Sequence, residues 1–318
     1  MSGPEFVLVA DIGGTHARFA LVGADGEAVN PLVLRCADYE GPAPAIKAYL
    51  ADQGGGAAPR HGAFAVASVI DGDRIELTNS PWRFSIDATR QALGLERLEV
   101  VNDFTAVALS VRHLKPTDLL AIGGGAAEPG LPIAVLGPGT GLGVSALIPS
   151  ADGEWTALAT EGGHVTMAAA TEREARILDR LRSQFDHVSA ERVLSGPGLV
   201  NLHCALRGLS GLGEESVTPA ELSRRALSGD PLASEALEMF FAMLGTVAGN
   251  LALSLGARGG VVIAGGIVPQ LLPAFLASGF RRRFEEKGRF DGYLSAIPVQ
   301  VTIHPYPAFV GLAGLIDG

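Results

Sequence analysis

A small set of polar side chains in this sequence stands where chemistry on a hydroxylated substrate could be done. Asp103 follows Asn102 at the end of the apolar run 98–101 and precedes a helical pattern over 105–111. A carboxylate at the C-terminal end of a strand can accept a proton from a bound hydroxyl. The same position equally suits an N-cap on the following helix, a role that Asp fills well. Glu161-Gly162-Gly163-His164 places a carboxylate and an imidazole on one short loop, where the two could read neighbouring hydroxyls of a polyol. His164 taken alone also fits an ordinary structural histidine. Glu191, just before Val193-Leu194-Ser195-Gly196-Pro197-Gly198, is a further acid at a helix start, or a solvated acid facing the helix dipole. An uncharged, densely hydroxylated ligand has to be met by carboxylates, an amide and an imidazole, and Asn102, Asp103, Glu161, His164 and Glu191 supply that set. Leaving one such group unpaired costs roughly 1–3 kcal/mol, which is how a wrong epimer is rejected.

Three glycine-rich turns accompany them. Asp11-Ile12-Gly13-Gly14-Thr15 follows an apolar strand, and glycines there let backbone N–H groups approach phosphate oxygens; the alternative is a tight hairpin. Asp11 at its mouth could hold Mg²⁺ through water. Gly139-Thr140-Gly141 offers the same backbone plus a hydroxyl for the β/γ-phosphates of a nucleotide, though it lacks the spacing of a dinucleotide fingerprint and is followed by a strand. Gly265-Gly266 closes a buried strand, either as a simple strand-to-helix turn or as a surface for a flat adenine or ribose.

The elements that must position these groups can be read from periodicity. Strands are predicted at 6–10, 18–22 and 29–36, then 63–67 and 98–101, with helices at 45–51 and from 105. The pattern then recurs, with strands at 133–136 and 143–148 around the second Gly-rich turn, so a duplicated core is expected. Helices follow at 172–184, 198–206, 219–227 and 232–255, then strands at 260–264 and 299–303 and a last helix at 309–315 that packs back on the first half. The mixed α/β pattern implies two lobes around a cleft: 1–105 with 303–318 as the small one, and 106–302 as the large one.

Bulk properties narrow the function classes. The 318 residues carry 34 acidic against 24 basic groups, a net charge of −10, which opposes nucleic acid as a partner. Lys47, Lys115 and Lys287 are the only lysines, and none lies in a Gly-rich turn, so a Walker-type lysine is absent. Cys36 and Cys204 lack zinc-site spacing. No signal peptide is read at the start, and the apolar stretch 240–280 is broken by Asn250, Arg258 and prolines, so a buried core is expected there and not a membrane span.

In this order the motifs resemble those of the bacterial ATP-dependent glucokinases within the sugar kinase/Hsp70/actin superfamily. The segments are Ala10-Asp11-Ile12-Gly13-Gly14-Thr15, Val101-Asn102-Asp103-Phe104, Leu136-Gly137-Pro138-Gly139-Thr140-Gly141, Glu161-Gly162-Gly163-His164, Glu191-Arg192-Val193-Leu194-Ser195-Gly196 and Ala264-Gly265-Gly266-Ile267. The resemblance implies a two-lobed actin-like ATPase (ribonuclease H-like) fold with a central cleft. It also implies a cytoplasmic enzyme, homodimeric by family expectation, that uses Mg-ATP to phosphorylate the 6-hydroxyl of glucose. Asp103 becomes the general base, and Asn102, Glu161, His164 and Glu191 bind the sugar, flanked by Asn79. Gly13, Gly14, Thr15, Gly139, Thr140, Gly141, Gly265 and Gly266 serve the nucleotide. The absence of a cysteine cluster near His164, and of a helix-turn-helix before Phe6, points to the zinc-free group and not to a repressor. The competing readings are a kinase of another hexose or N-acetylhexosamine and a sensor that binds without transfer; a chaperone or filament of the same fold has no use for Glu161, His164 and Glu191.

Overall fold

The computed structural model describes residues 6–23, 26–53, 59–77 and 80–317. Two compact units divide the chain: 1–117 with 304–318, and 118–303. The sequence reading put the first boundary near residue 105. It falls later because the helix that begins at Asp103 contributes Ala106 to a buried cluster with Phe309 and Leu312 of the C-terminal helix.

In the first unit, β1 (Val7–Ile12), β2 (His16–Val22) and β3 (Ala28–Arg35) form an antiparallel meander. Helix α1 (Pro42–Asp52) leads to β4 (His61–Val66), which lies parallel to β1. A small hairpin, β5 (Arg74–Glu76) and β6 (Arg83–Ser85), precedes α2 (Ile86–Leu93). Strand β7 (Arg97–Asn102) then pairs parallel to β4 and runs into α3 (Asp103–Ser110). The sheet order is β3-β2-β1-β4-β7. β1 and β4 read as nearly unbroken apolar runs because helices cover both faces, so alternation is lost. One face packs Tyr49, Trp82 and Phe64; the other meets the C-terminal helix, Pro307–Asp317.

The second unit repeats this plan. Strand β8 (Leu119–Gly123) is an edge; β9 (Ile133–Pro138), β10 (Leu142–Pro149) and β11 (Trp155–Ala159) form the antiparallel meander. Four helices follow among the described residues: α4 (Glu172–Arg182), α5 (Gly196–Leu209), α6 (Pro219–Leu227) and α7 (Pro231–Leu255). Beyond them β12 (Gly260–Ile263) and β13 (Val299–Thr302) add parallel to β9, giving the order β11-β10-β9-β12-β13-β8. In each unit the Gly-rich turn joins the first two strands of a meander and the next strand adds parallel to the first, which is the duplication expected from the motif order.

Helix α7 starts at the N-cap Asp230, whose side chain accepts from Ala233 N, and stops where Gly256 turns left-handed at φ 61°. It is long and apolar enough to cross a membrane, but 78% of its most apolar window is buried inside the protein. Its Phe240 and Phe241 join Phe275, Phe280 and Phe284 in the core. Beside it the buried Arg283 bonds Glu174 at 2.7 Å and Thr246 at 2.8 Å, so the charge is fully engaged.

Candidate functional site

In the first unit, β1 and β2 are in register with Asp11 opposite Arg18 and Ile12 opposite Ala17, so the 13–15 turn has to be tight. Gly13 N–H donates to His16 O at 3.0 Å and Cys36 N–H donates to Thr15 O at 2.9 Å. The N–H groups of Gly14 and Thr15 have no backbone acceptor among the described residues. Donors left without a backbone acceptor are what a phosphate needs. Asp11, with its side chain 22% exposed, receives Arg18 Nη1 on Oδ2 at 2.8 Å. This partner was missed from the sequence, although opposite charges facing each other across a two-stranded register are a readable signal.

At the end of β7 the structure separates two roles that the sequence left joined on Asp103. The cap of α3 is Asn102: its Oδ1 accepts from Phe104 N at 2.9 Å and Thr105 N at 3.2 Å, while its Nδ2 donates to Ser68 O at 3.4 Å. Asp103 is the first helical residue and accepts from Phe104 N at 2.8 Å, at the helix end that favours negative charge. The N-cap alternative for Asp103 is thereby corrected by one residue. The amide of Asn102 keeps one N–H for a ligand. Asn79 lies outside the described residues.

In the second unit three segments distant in sequence are bonded into one body. The 139–141 turn closes with Gly139 N donating to Gly141 O at 2.8 Å. The 161–164 loop is a short 3₁₀ turn, with Glu161 Oε2 3.8 Å from His164 Nε2 and both side chains more than half exposed, at 55% and 60%. Glu191 joins the two. Its N–H donates to Gly163 O at 2.9 Å, and its Oε2 accepts from Leu142 N–H at 2.9 Å, directly after the Gly-rich turn. Ser195, nearly fully buried, donates to Glu191 O at 2.8 Å and caps α5, whose first residue Gly196 donates to Gly139 O at 2.9 Å. Gly139, Gly141, Glu161, His164 and Glu191 thus share one rigid neighbourhood, with Thr140 exposed at its rim. The sequence did not disclose Gly196 as the bracket, because its partner Gly139 lies more than fifty residues away.

The turn at Gly265-Gly266 sits against the end of β9. A Cβ on Gly137 would fall 2.3 Å from Ala264 C and O, and Gly265, at φ +78°, would place one 2.4 Å from Pro138 O. Packing between β9 and the end of β12 therefore requires these glycines whatever binds there.

Among the described residues no group of three His, Cys, Asp or Glu side chains could hold a metal. Asp11 shares its carboxylate with Arg18, so it does not by itself form an all-protein cage for a cation.

A family profile described as Glucokinase matches residues 8–317. The chain belongs to the glucokinase family. A glucokinase of Paramagnetospirillum magneticum is 76% identical over 313 residues, covering 98% of both chains. Among solved structures, a glucokinase from an Antarctic psychrotroph superposes with a TM-score of 0.87 at 35% identity, covering 98% of this chain and 99% of the other. A ROK family glucokinase from Streptomyces griseus, in complex with glucose and AMPPNP, superposes at 0.68 and 21% identity, covering 98% and 100%, and bears on the fold alone. The chain therefore has the actin-like ATPase fold that the resemblance implied.

Proposed function

We propose that ATP-dependent phosphorylation of glucose, the activity of the family, runs in this chain through Asp103 as general base. In this reading the sugar is held by Asn102, Glu161, His164 and Glu191, with Asn79 beside it. The 13–15 and 139–141 turns offer backbone N–H groups to the phosphates of ATP, and Gly265 and Gly266 border the adenosine. Asp11 would hold a Mg²⁺ carried by ATP, an ion that would supply charge neutralisation at the transferring group.

The 6-hydroxyl proton passes to the Asp103 carboxylate as the hydroxyl oxygen forms its bond to the γ-phosphorus. The bond from that phosphorus to the β,γ-bridging oxygen breaks, and ADP leaves. Alignment and charge stabilisation supply most of the acceleration. The observation that carries the reading is the bonded body in which Glu191 ties the 139–141 turn to the 161–164 loop, since a sugar and a phosphate chain have to be held in register for transfer. A cytoplasmic homodimer completes the proposal.

The test is glucose-dependent ADP release by the purified protein, run on glucose, mannose, fructose and N-acetylglucosamine at matched ATP. Asp103→Asn keeps an acceptor for Phe104 N but cannot take up the proton. We expect kcat to fall about 10²–10⁴-fold with the melting temperature little changed. A folded Asp103→Asn protein that turns over normally removes Asp103 from the role, and stronger turnover on another hexose replaces glucose as the substrate.

A further inference from the structure

We propose that Trp82 is a positioning residue for the first phosphate turn, setting the register of residues 13–15 through Cys36. The inference rests on the reading that this turn receives nucleotide phosphate. It starts from a side chain that no step of the phosphoryl transfer uses. Trp82 is 1% exposed, and its indole N–H bridges two carbonyls, Cys36 O and Tyr39 O, at 2.9 Å each. One donor shared between two acceptors pins the 3₁₀ turn Cys36–Asp38 at the point where it leaves β3.

From there the connection to the turn is direct. Cys36 N–H donates to Thr15 O at 2.9 Å, and Cys36 Sγ lies 3.5 Å from Gly13 O. The Ser80 hydroxyl accepts from Trp82 N at 3.3 Å. Two of the three carbonyls in the 13–15 turn are thus held by one residue, and that residue is held by Trp82. Gly13 O and the Gly14 N–H belong to one planar peptide unit, so holding that carbonyl fixes where the Gly14 N–H points, and holding Thr15 O does the same for the His16 N–H at the end of the turn. The N–H groups of Gly14 and Thr15 are the ones left for phosphate. A lone thiol is a weak hydrogen-bonding group, so the indole is the strong member of this strap.

The experiment is steady-state kinetics on the purified full chain carrying Trp82→Phe, which keeps an aromatic ring and deletes the donor. Gly14→Val serves as a control that blocks the turn itself. The expected result is a fall in kcat/KM for ATP of about 5- to 30-fold, the effect of losing a good hydrogen bond, with KM for glucose within about twofold of wild type. A merely structural tryptophan would lower the melting temperature without that split. Trp82→Phe with ATP parameters within about twofold of wild type overturns the proposal, as does an equal rise in KM for glucose. If Gly14→Val impairs ATP use and Trp82→Phe does not, only the strap fails. If Gly14→Val leaves ATP use intact, the phosphate reading of the turn fails and the strap with it. Should Trp82→Phe not fold, Cys36→Ala, which removes only the thiol beside Gly13 O, has to show the same split between substrates in weaker form, and its absence overturns the proposal equally.

Discussion

Replacing Gly141 with Ala isolates the contact that ties the 161–164 loop to the 139–141 turn. A Cβ built there falls 2.4 Å from Glu191 Oε2 and 3.3 Å from its Cδ, closer than real contacts allow. Gly141 is not among the residues with positive φ, so the backbone tolerates alanine and the strain falls on the Glu191 side chain. That carboxylate can swing away, but doing so removes the acceptor that Leu142 N–H holds at 2.9 Å and displaces a group proposed to bind glucose. A hydrogen bond to a charged group is worth about 1.5–3 kcal/mol, and each 1.36 kcal/mol is tenfold. The expected loss in kcat/KM for glucose, from the displaced carboxylate's hydrogen bond to the sugar, is therefore roughly 10- to 150-fold, and the orphaned Leu142 N–H lowers the melting temperature by a few degrees. Coupled ADP release at saturating ATP, with glucose varied, measures it. Combining Gly141→Ala with Glu191→Gln should cost far less than the product of the two single effects, because both act on one carboxylate. A folded Gly141→Ala enzyme within twofold of wild type, or full additivity with Glu191→Gln, would refute the argument.

Other substitutions test the packing and the titration. Gly137→Ala sets a methyl 2.3 Å from the backbone of Ala264, which cannot rotate away, so a loss of about 1–3 kcal/mol or more in urea unfolding is expected; an unchanged midpoint contradicts the close approach of β9 and the 264–265 turn. Burial pushes the Tyr49 phenol up to about 12 from its ordinary value of 10.0. The folded state thus holds the proton more tightly than the unfolded chain, so the contribution is whole below pH 10 and is lost as pH rises through about 12. Thermal melts of Tyr49→Phe should show a shallower alkaline decline than wild type over that range, and parallel curves would exclude Tyr49 as its source. The Tyr49 hydroxyl has no hydrogen-bond partner among the described residues, so the same variant should be neutral or slightly stabilising at pH 7.

Most of the fold and many of the candidate groups were legible because they are local. Apolar runs ending in Asp11, Asn102 or Gly137 announce strands, and glycines directly after two of them announce turns where backbone comes close to something. Their order along the chain carried the family resemblance. Local reading erred where two adjacent polar residues compete for one job. Asn102 and Asp103 are both good caps, and only the direction in which β7 delivers the chain decided that Asn102 takes the two N–H groups.

By itself the sequence determined the α/β order and the duplicated meander, which depend on periodicity, and it offered the candidate polar groups and, through the order of its motifs, the family resemblance. Tertiary structure alone decided that Glu191 bonds Leu142, that Gly196 bonds Gly139 in the 139–141 turn, that Gly265 meets Pro138, and that Trp82 braces Cys36. The physical reason is that a hydrogen bond or a close approach between segments tens of residues apart leaves no periodic trace along the chain. It arises only once sheet register and helix packing have brought the partners within about 3 Å.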